Sequence, residues 1–231
     1  MFHRPERFAS PMAQAVEFVR RQRFGVLVSQ LDGELQFSYL PVLVDVDGER
    51  ITRLRGHFAR ANPHWRALQR DAHATFVCYG PHHYVSAQWY SPECQAASSW
   101  NFVTVHLNGT VRLLDTPEQT TDIVNELVAV NEAALPTQWD ISRYSPARRA
   151  ALTPHILGFA LDIDAVEPKF KLNQHYADAD KIGAIAGMRS LGNDSARQIA
   201  DLMEQTLGQG SRDQDISRRM AAASGDAPGS R

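Results

Sequence analysis

The ten residues G-H-F-A-R-A-N-P-H-W, from Gly56 to Trp65, gather groups able to hold an anion. Arg60 carries a planar fork of donors matched to phosphate or carboxylate. Asn62 stands where a side-chain oxygen caps a helix opening at Pro63 and running to about Arg70. Such a start leaves backbone N–H groups and a positive dipole end facing an anion. His57 and Gly56 allow a close approach from the preceding strand. The same ten residues also describe an ordinary capped helix with a surface arginine, and taken alone that is the commoner arrangement.

Two further groups of residues have the chemistry of a ligand site. The aromatics of H-Y-V-S-A-Q-W-Y (His83 to Tyr90) and S-W-N-F (Ser99 to Phe102) flank a loop of Ser, Pro, Gln and Cys. Trp89, Tyr90 and Trp100 there offer large flat surfaces to a planar ligand, although core packing uses aromatics in the same way. In K-F-K-L-N-Q-H, an extended backbone places Lys169, Lys171 and Asn173 on one face and Phe170 and Leu172 on the other. Two lysines side by side repel unless water or an anion lies between them. An edge strand protected by lysines has the same pattern.

Other chemistries lack their residues. The nine histidines form no H-E-x-x-H or Cys/His cluster, and neither a G-x-S-x-G elbow nor a Walker-type loop occurs. Cys78 and Cys94 make no C-x-x-C pair. No catalytic acid, base or nucleophile and no metal site is assigned. With 231 residues, 43% apolar and 22% charged, the composition is that of a soluble globular protein. A net charge of −2 gives no global field toward nucleic acid or anionic lipid. The N-terminus lacks the apolar core of a secretory signal, and no apolar run reaches membrane length, so a cytoplasmic protein is expected.

The elements that must position these groups read as follows. An amphipathic helix from Pro11, capped by Ser10, leads into an antiparallel meander: F-G-V-L-V-S-Q, then E-L-Q-F-S-Y-L-P-V-L-V, then I-T-R-L-R-G-H, joined at D-G turns. Strands A-T-F-V-C-Y and H-Y-V-S-A follow the short helix. In the long strand from Trp100, Val103, Val105 and Leu107 face one way and Trp100, Phe102, Thr104 and His106 the other. A helix is predicted from Pro117 to about Ala133, then strand H-I-L-G-F-A-L-D-I-D and the lysine segment. Helices near Ala179–Ser190 and Asp194–Leu207 form a hairpin. Across Asp178 to Glu204 they carry three positive side chains against five negative ones, the wrong sign for a DNA-reading unit. A single domain over residues 1–207, including the hairpin from about 178, is expected, with a disordered tail at 208–231. The pattern alone is α+β and barrel-like.

The four blocks G-H-F-A-R-A-N-P-H-W, Y-G-P-H-H-Y-V-S-A-Q-W-Y, S-W-N-F-V-T-V-H and K-F-K-L-N-Q, in this order, resemble the PaiB family of FMN-binding negative transcriptional regulators. The resemblance runs from the N-terminal lead-in to about Arg189. It implies an FMN-binding split β-barrel with peripheral helices, usually a homodimer with its flavin site at the subunit interface. Carried over by residue, it implies Arg60 with His57 and Asn62 at the FMN phosphate. Trp89, Trp100 and Asn101 fall near the isoalloxazine or ribityl chain, and Lys169, Lys171 and Gln174 close the site. The implied function is a repressor acting on DNA directly or through a partner. The alternatives are a flavin-dependent NAD(P)H oxidoreductase of the split-barrel class and a haem-binding or haem-degrading protein, with His57, His64, His106 or His175 as ligand.

Overall fold

The structure, a computed structural model, describes residues 10–208. The tail expected at 208–231 lies outside the described residues except for Gly208. Among the described residues, six α-helices and seven strands follow one another as α1 (Met12–Gln22), β1 (Phe24–Leu31), β2 (Glu34–Pro41), β3 (Leu43–Asp47), β4 (Arg50–Ala59), α2 (His64–Arg70), β5 (His73–Val85), β6 (Ser99–Leu114), α3 (Pro117–Glu132), α4 (Pro146–Leu152), β7 (Ile156–Lys171), α5 (Asp178–Ser190) and α6 (Asp194–Glu204). The strands form one sheet in the order β2-β1-β5-β6-β7-β4-β3. Every registered pair is antiparallel. The chain is therefore α+β, the class expected from its pattern.

Several expected elements have different limits. The helix expected from Pro11 opens at Met12, with Pro11 in the cap position and no side-chain cap from Ser10. The run expected as one strand after the first turn is two, broken at Val42. The Val42 N–H donates to Arg23 O at 2.8 Å instead of joining a ladder. This break sends β2 and β3 to opposite ends of the sheet, so the chain does not form a simple meander. The two strands expected around Gly80-Pro81 are one, β5. It is registered against β1 only over Thr75–Val77, so on that side the missing N–H of Pro81 interrupts nothing. Likewise β7 runs unbroken from Ile156 through Lys171. Helix α4 was not expected, although Ser145 accepts from Arg148 N at 3.2 Å and Pro146 occupies the first turn.

The described residues fall into two compact units. One comprises Ser10–Tyr79 and Thr104–Pro168. Its core is Leu27, Leu54, Phe58, Phe76, Val105, Leu107, Phe159 and Leu161, all fully buried. The β1–β2 turn uses positive φ at Asp32 (52°) and Gly33 (88°), the backbone a two-residue hairpin requires. Strand β2 comes back alongside β4 at Gly56, where an added Cβ would stand 3.0 Å from Pro41 O and 2.8 Å from the Phe159 ring. Helix α3 covers the other face of β4, packing Ile123 and Leu127 with Leu43.

The second unit comprises Gly80–Val103 and residues 169–208. Helices α5 and α6 form the expected hairpin, turning at Gly192 (φ 64°), with Asn193 capping α6 through Ala196 N. Lys181 is fully buried, paired with Asp178 at 2.8 Å and donating to Thr206 O at 2.7 Å. Hydrogen bonds and an ion pair thus offset the burial of its charge.

Candidate functional site

The Gly56–Trp65 segment spreads its polar side chains in three directions. Phe58 faces the side of His64, with ring centroids 5.8 Å apart, so strand alternation puts His57 on the opposite face. That face also holds Arg55, which pairs with Asp45 at 2.8 Å and with Glu126 of α3 at 2.7 Å. His57 Nδ1 is buried with no hydrogen-bond partner, and burial holds its pKa below the usual imidazole value. Asn62 uses both ends of its amide internally: Oδ1 accepts from His64 N at 3.0 Å, and Nδ2 donates to Ser38 Oγ at 2.9 Å. The helix it introduces begins at His64, not Pro63, and spans seven residues.

His64 is 1% exposed, and its ring nitrogens meet Ser29 Oγ at 2.9 Å and Ser38 Oγ at 2.8 Å. Both nitrogens are committed, so the haem-ligand role considered for His64 has no lone pair to offer. Arg60 is exposed and lines a cavity of about 540 Å³ with Asp115, Glu118, Asp122, Thr121 and Ile156. Its guanidinium makes no ion pair among the described residues.

The other predicted residues belong to the second unit, whose strands present two faces. On one face Asn101 and Val103 of β6 and Phe170 of β7 are buried, and Asn101 Nδ2 approaches Met203 Sδ of α6 at 3.2 Å. The Asn101 Oδ1 atom is buried without a partner there. Trp89 lies against α5. An added Cβ on Gly187 would stand 2.5 Å from its Cε2, and one on Gly183 would collide with its carbonyl. Gln174 folds back on its own strand end, accepting from Leu172 N at 2.9 Å and donating to Phe170 O. Asn173 has left the lysine face: its φ is 59°, and its amide donates to the Tyr90 hydroxyl at 3.1 Å.

The opposite face is open. Trp100 is 52% exposed, with the His82 ring 5.7 Å and the Tyr84 ring 6.2 Å from its own. Lys169 lies 5.4 Å from the Phe102 centroid, a cation–π distance. Lys171 donates to the Trp100 carbonyl at 2.7 Å and to Ser99 Oγ. Burial, and then the charge of Lys169, push the Lys171 pKa down from the usual lysine value. The structure thus brings Trp100, Lys169 and Lys171 together and places Trp89, Asn101 and Gln174 elsewhere in the unit. Tyr84 and Phe102 lie within the two aromatic blocks of the sequence but not among the residues assigned to the site, and His82 lies just outside them, although H-x-Y and W-x-F in neighbouring strands signal a shared aromatic face.

This donor set fits a flavin. An ammonium group has three donors, and Lys171 spends two on neutral oxygens, leaving one for an anionic ligand. A second cation and an open aromatic surface stand beside it. These features stand on an antiparallel α+β fold.

The chain belongs to the family described as "Putative FMN-binding domain", whose model matches residues 1–165, and FMN is its cofactor. It is 28% identical over 205 residues to the "Protease synthase and sporulation protein PAI 2" of Bacillus subtilis, covering 88% of this chain and 97% of that protein. The relationship implied by the four sequence blocks therefore holds. An uncharacterised protein of Emericella nidulans is 25% identical over 227 residues, covering 82% of this chain and 90% of its own. Among solved structures, the flavocytochrome Anf3 of Azotobacter vinelandii aligns with a TM-score of 0.52 at 16% identity, over 68% of this chain and 66% of that one. A conserved hypothetical protein of Mycobacterium tuberculosis aligns with a TM-score of 0.50 at 14% identity, over 74% and 91%. Both are likenesses of fold.

Proposed function

We propose that this chain is a cytoplasmic, homodimeric FMN-binding regulator of the PaiB type that represses transcription, with Trp100, Lys169 and Lys171 holding the flavin. The observation that carries the reading is the Lys171 ammonium fixed beside the exposed Trp100 indole. Bound FMN supplies electron transfer at its ring, and the protein's part is to hold and tune it. Arg60 belongs to the other unit, where three carboxylates share its cavity, and it is given no part in this site.

The homodimer is supported by an apolar strip on β2, where Leu35, Phe37 and Tyr39 are 57%, 56% and 69% exposed. A row of uncharged side chains is suited to a two-fold contact, where like would meet like. The acidic α5–α6 hairpin favours repression through a partner over direct groove binding. No helix among the described residues is long and apolar enough to cross a membrane.

A shift assay of the FMN-loaded protein on its own upstream DNA, across rising salt, tests the regulatory role. Specific retention that outlasts non-specific binding supports it. FMN-dependent turnover of NADPH without any DNA or partner effect favours the oxidoreductase instead.

A further inference from the structure

Three strand ends of the second unit contribute to the open face: His82 and Tyr84 from β5, Trp100 and Phe102 from β6, and Lys169 and Lys171 from β7. Single exposed aromatics are ordinary on a protein surface. Here three rings stand next to one another at centroid distances of 5.7 Å and 6.2 Å, around one indole. The backbone of His82 is held on both sides: its N–H donates to Ser195 Oγ at 3.1 Å, while Ser195 Oγ–H donates to His82 O at 2.7 Å. Trp100 is held in turn through its carbonyl by Lys171. Rigid rings on a sheet lose little freedom when a flat ligand stacks on them. The neighbouring lysines supply the charge an anionic ligand needs.

We propose that His82 and Tyr84 complete, with Trp100, a stacking platform for the isoalloxazine ring, and that Ser195 positions His82 within it. This rests on the FMN reading above and adds the residues that read the ring itself. Trp100 carries the stacking contact, and the His82 ring, tilted 36° to the indole, and the Tyr84 ring, edge-on at 67°, brace it from the side. Recognition is therefore of a planar fused heteroaromatic ring, independent of the phosphate.

The test titrates FMN and riboflavin into the full chain, following flavin fluorescence, with folding checked by circular dichroism. Trp100→Ala is expected to weaken both ligands ~10-fold, the scale of one lost stacking contact. His82→Ala and Tyr84→Ala each weaken both about 3-fold, the scale of an aromatic pair. Ser195→Ala follows His82→Ala, while Tyr144→Ala, which removes an exposed aromatic of the other unit, binds as the wild type does. Unchanged flavin binding by folded His82→Ala and Tyr84→Ala, or loss of FMN alone with riboflavin retained, overturns the platform and leaves FMN binding standing. A wild-type protein that binds neither flavin overturns both.

Discussion

Lys171 of β7 donates from Nζ to the backbone carbonyl of Trp100 on β6 at 2.7 Å, tying a cation to the base of an exposed indole. The lysine pays in desolvation for this position, and the charge of Lys169 adds to the penalty. An anion arriving beside it relieves both effects.

That relationship gives FMN binding a pH dependence. The Lys171 pKa is lowered, and an anion binds its charged form, so affinity is full below that pKa and is lost as pH rises through it. FMN affinity should therefore fall on the alkaline side at a lower pH than an ordinary lysine would dictate. Lys171→Arg, whose guanidinium stays charged, should shift the fall to higher pH in the same titration.

Gly183 and Gly187 of α5 are places where alanine, despite its better helix propensity, should destabilise. An ordinary Gly→Ala change in a helix gains about 1 kcal/mol. Here the new Cβ meets Trp89, and overpacking typically costs about 1–3 kcal/mol. Urea unfolding of Gly187→Ala should show a net loss, and Trp89→Ala in the same chain should recover part of it.

His64 should make the fold acid-sensitive. Burial lowers its pKa in the folded state, so the unfolded chain binds the proton first. Stability is then present above the unfolded value, about 6.5, and declines as pH falls through it. His64→Ala also takes the ring partner from Ser29 and leaves Ser38 with Asn62 alone, and should lower stability by about 1–3 kcal/mol at pH 8. Denaturant melts at pH 8 and pH 5.5 measure both effects, and the variant should lose part of the difference between them.

Arg60→Ala should leave FMN and riboflavin affinity as in the wild type, because Asp115, Glu118 and Asp122 share the Arg60 cavity and disfavour a phosphate there. A loss of FMN affinity with riboflavin unaffected would instead assign Arg60 to the phosphate.

The fold was legible where local chemistry decides it. The D-G turns placed both hairpins, and strand alternation in β6 put Val103, Val105 and Leu107 on one face, which is the buried one. What escaped were long-range facts. Nothing local says that Val42 bonds to Arg23 and parts β2 from β3, or that β5 continues through Gly80-Pro81.

The site was legible in residue type more than in direction. Lys169 and Lys171 share a face as their spacing suggested, and Trp100 joins them as the resemblance implied, because each sits in a regular strand. Asn62 and Gln174 look like ligand amides in the sequence. In three dimensions both satisfy nearby groups instead, since a short amide at an element's end can do so at once. Trp89 and Asn101 were drawn into packing by a helical hairpin whose position no local pattern reveals.

The most direct test of the account is a titration of FMN and riboflavin into the wild-type chain and into Lys171→Met. Saturable FMN binding by the wild type is expected, with a loss on the order of 10-fold in the variant, the scale of a charge-assisted hydrogen bond. No binding by the wild type, or identical FMN affinity in the two proteins, would contradict it.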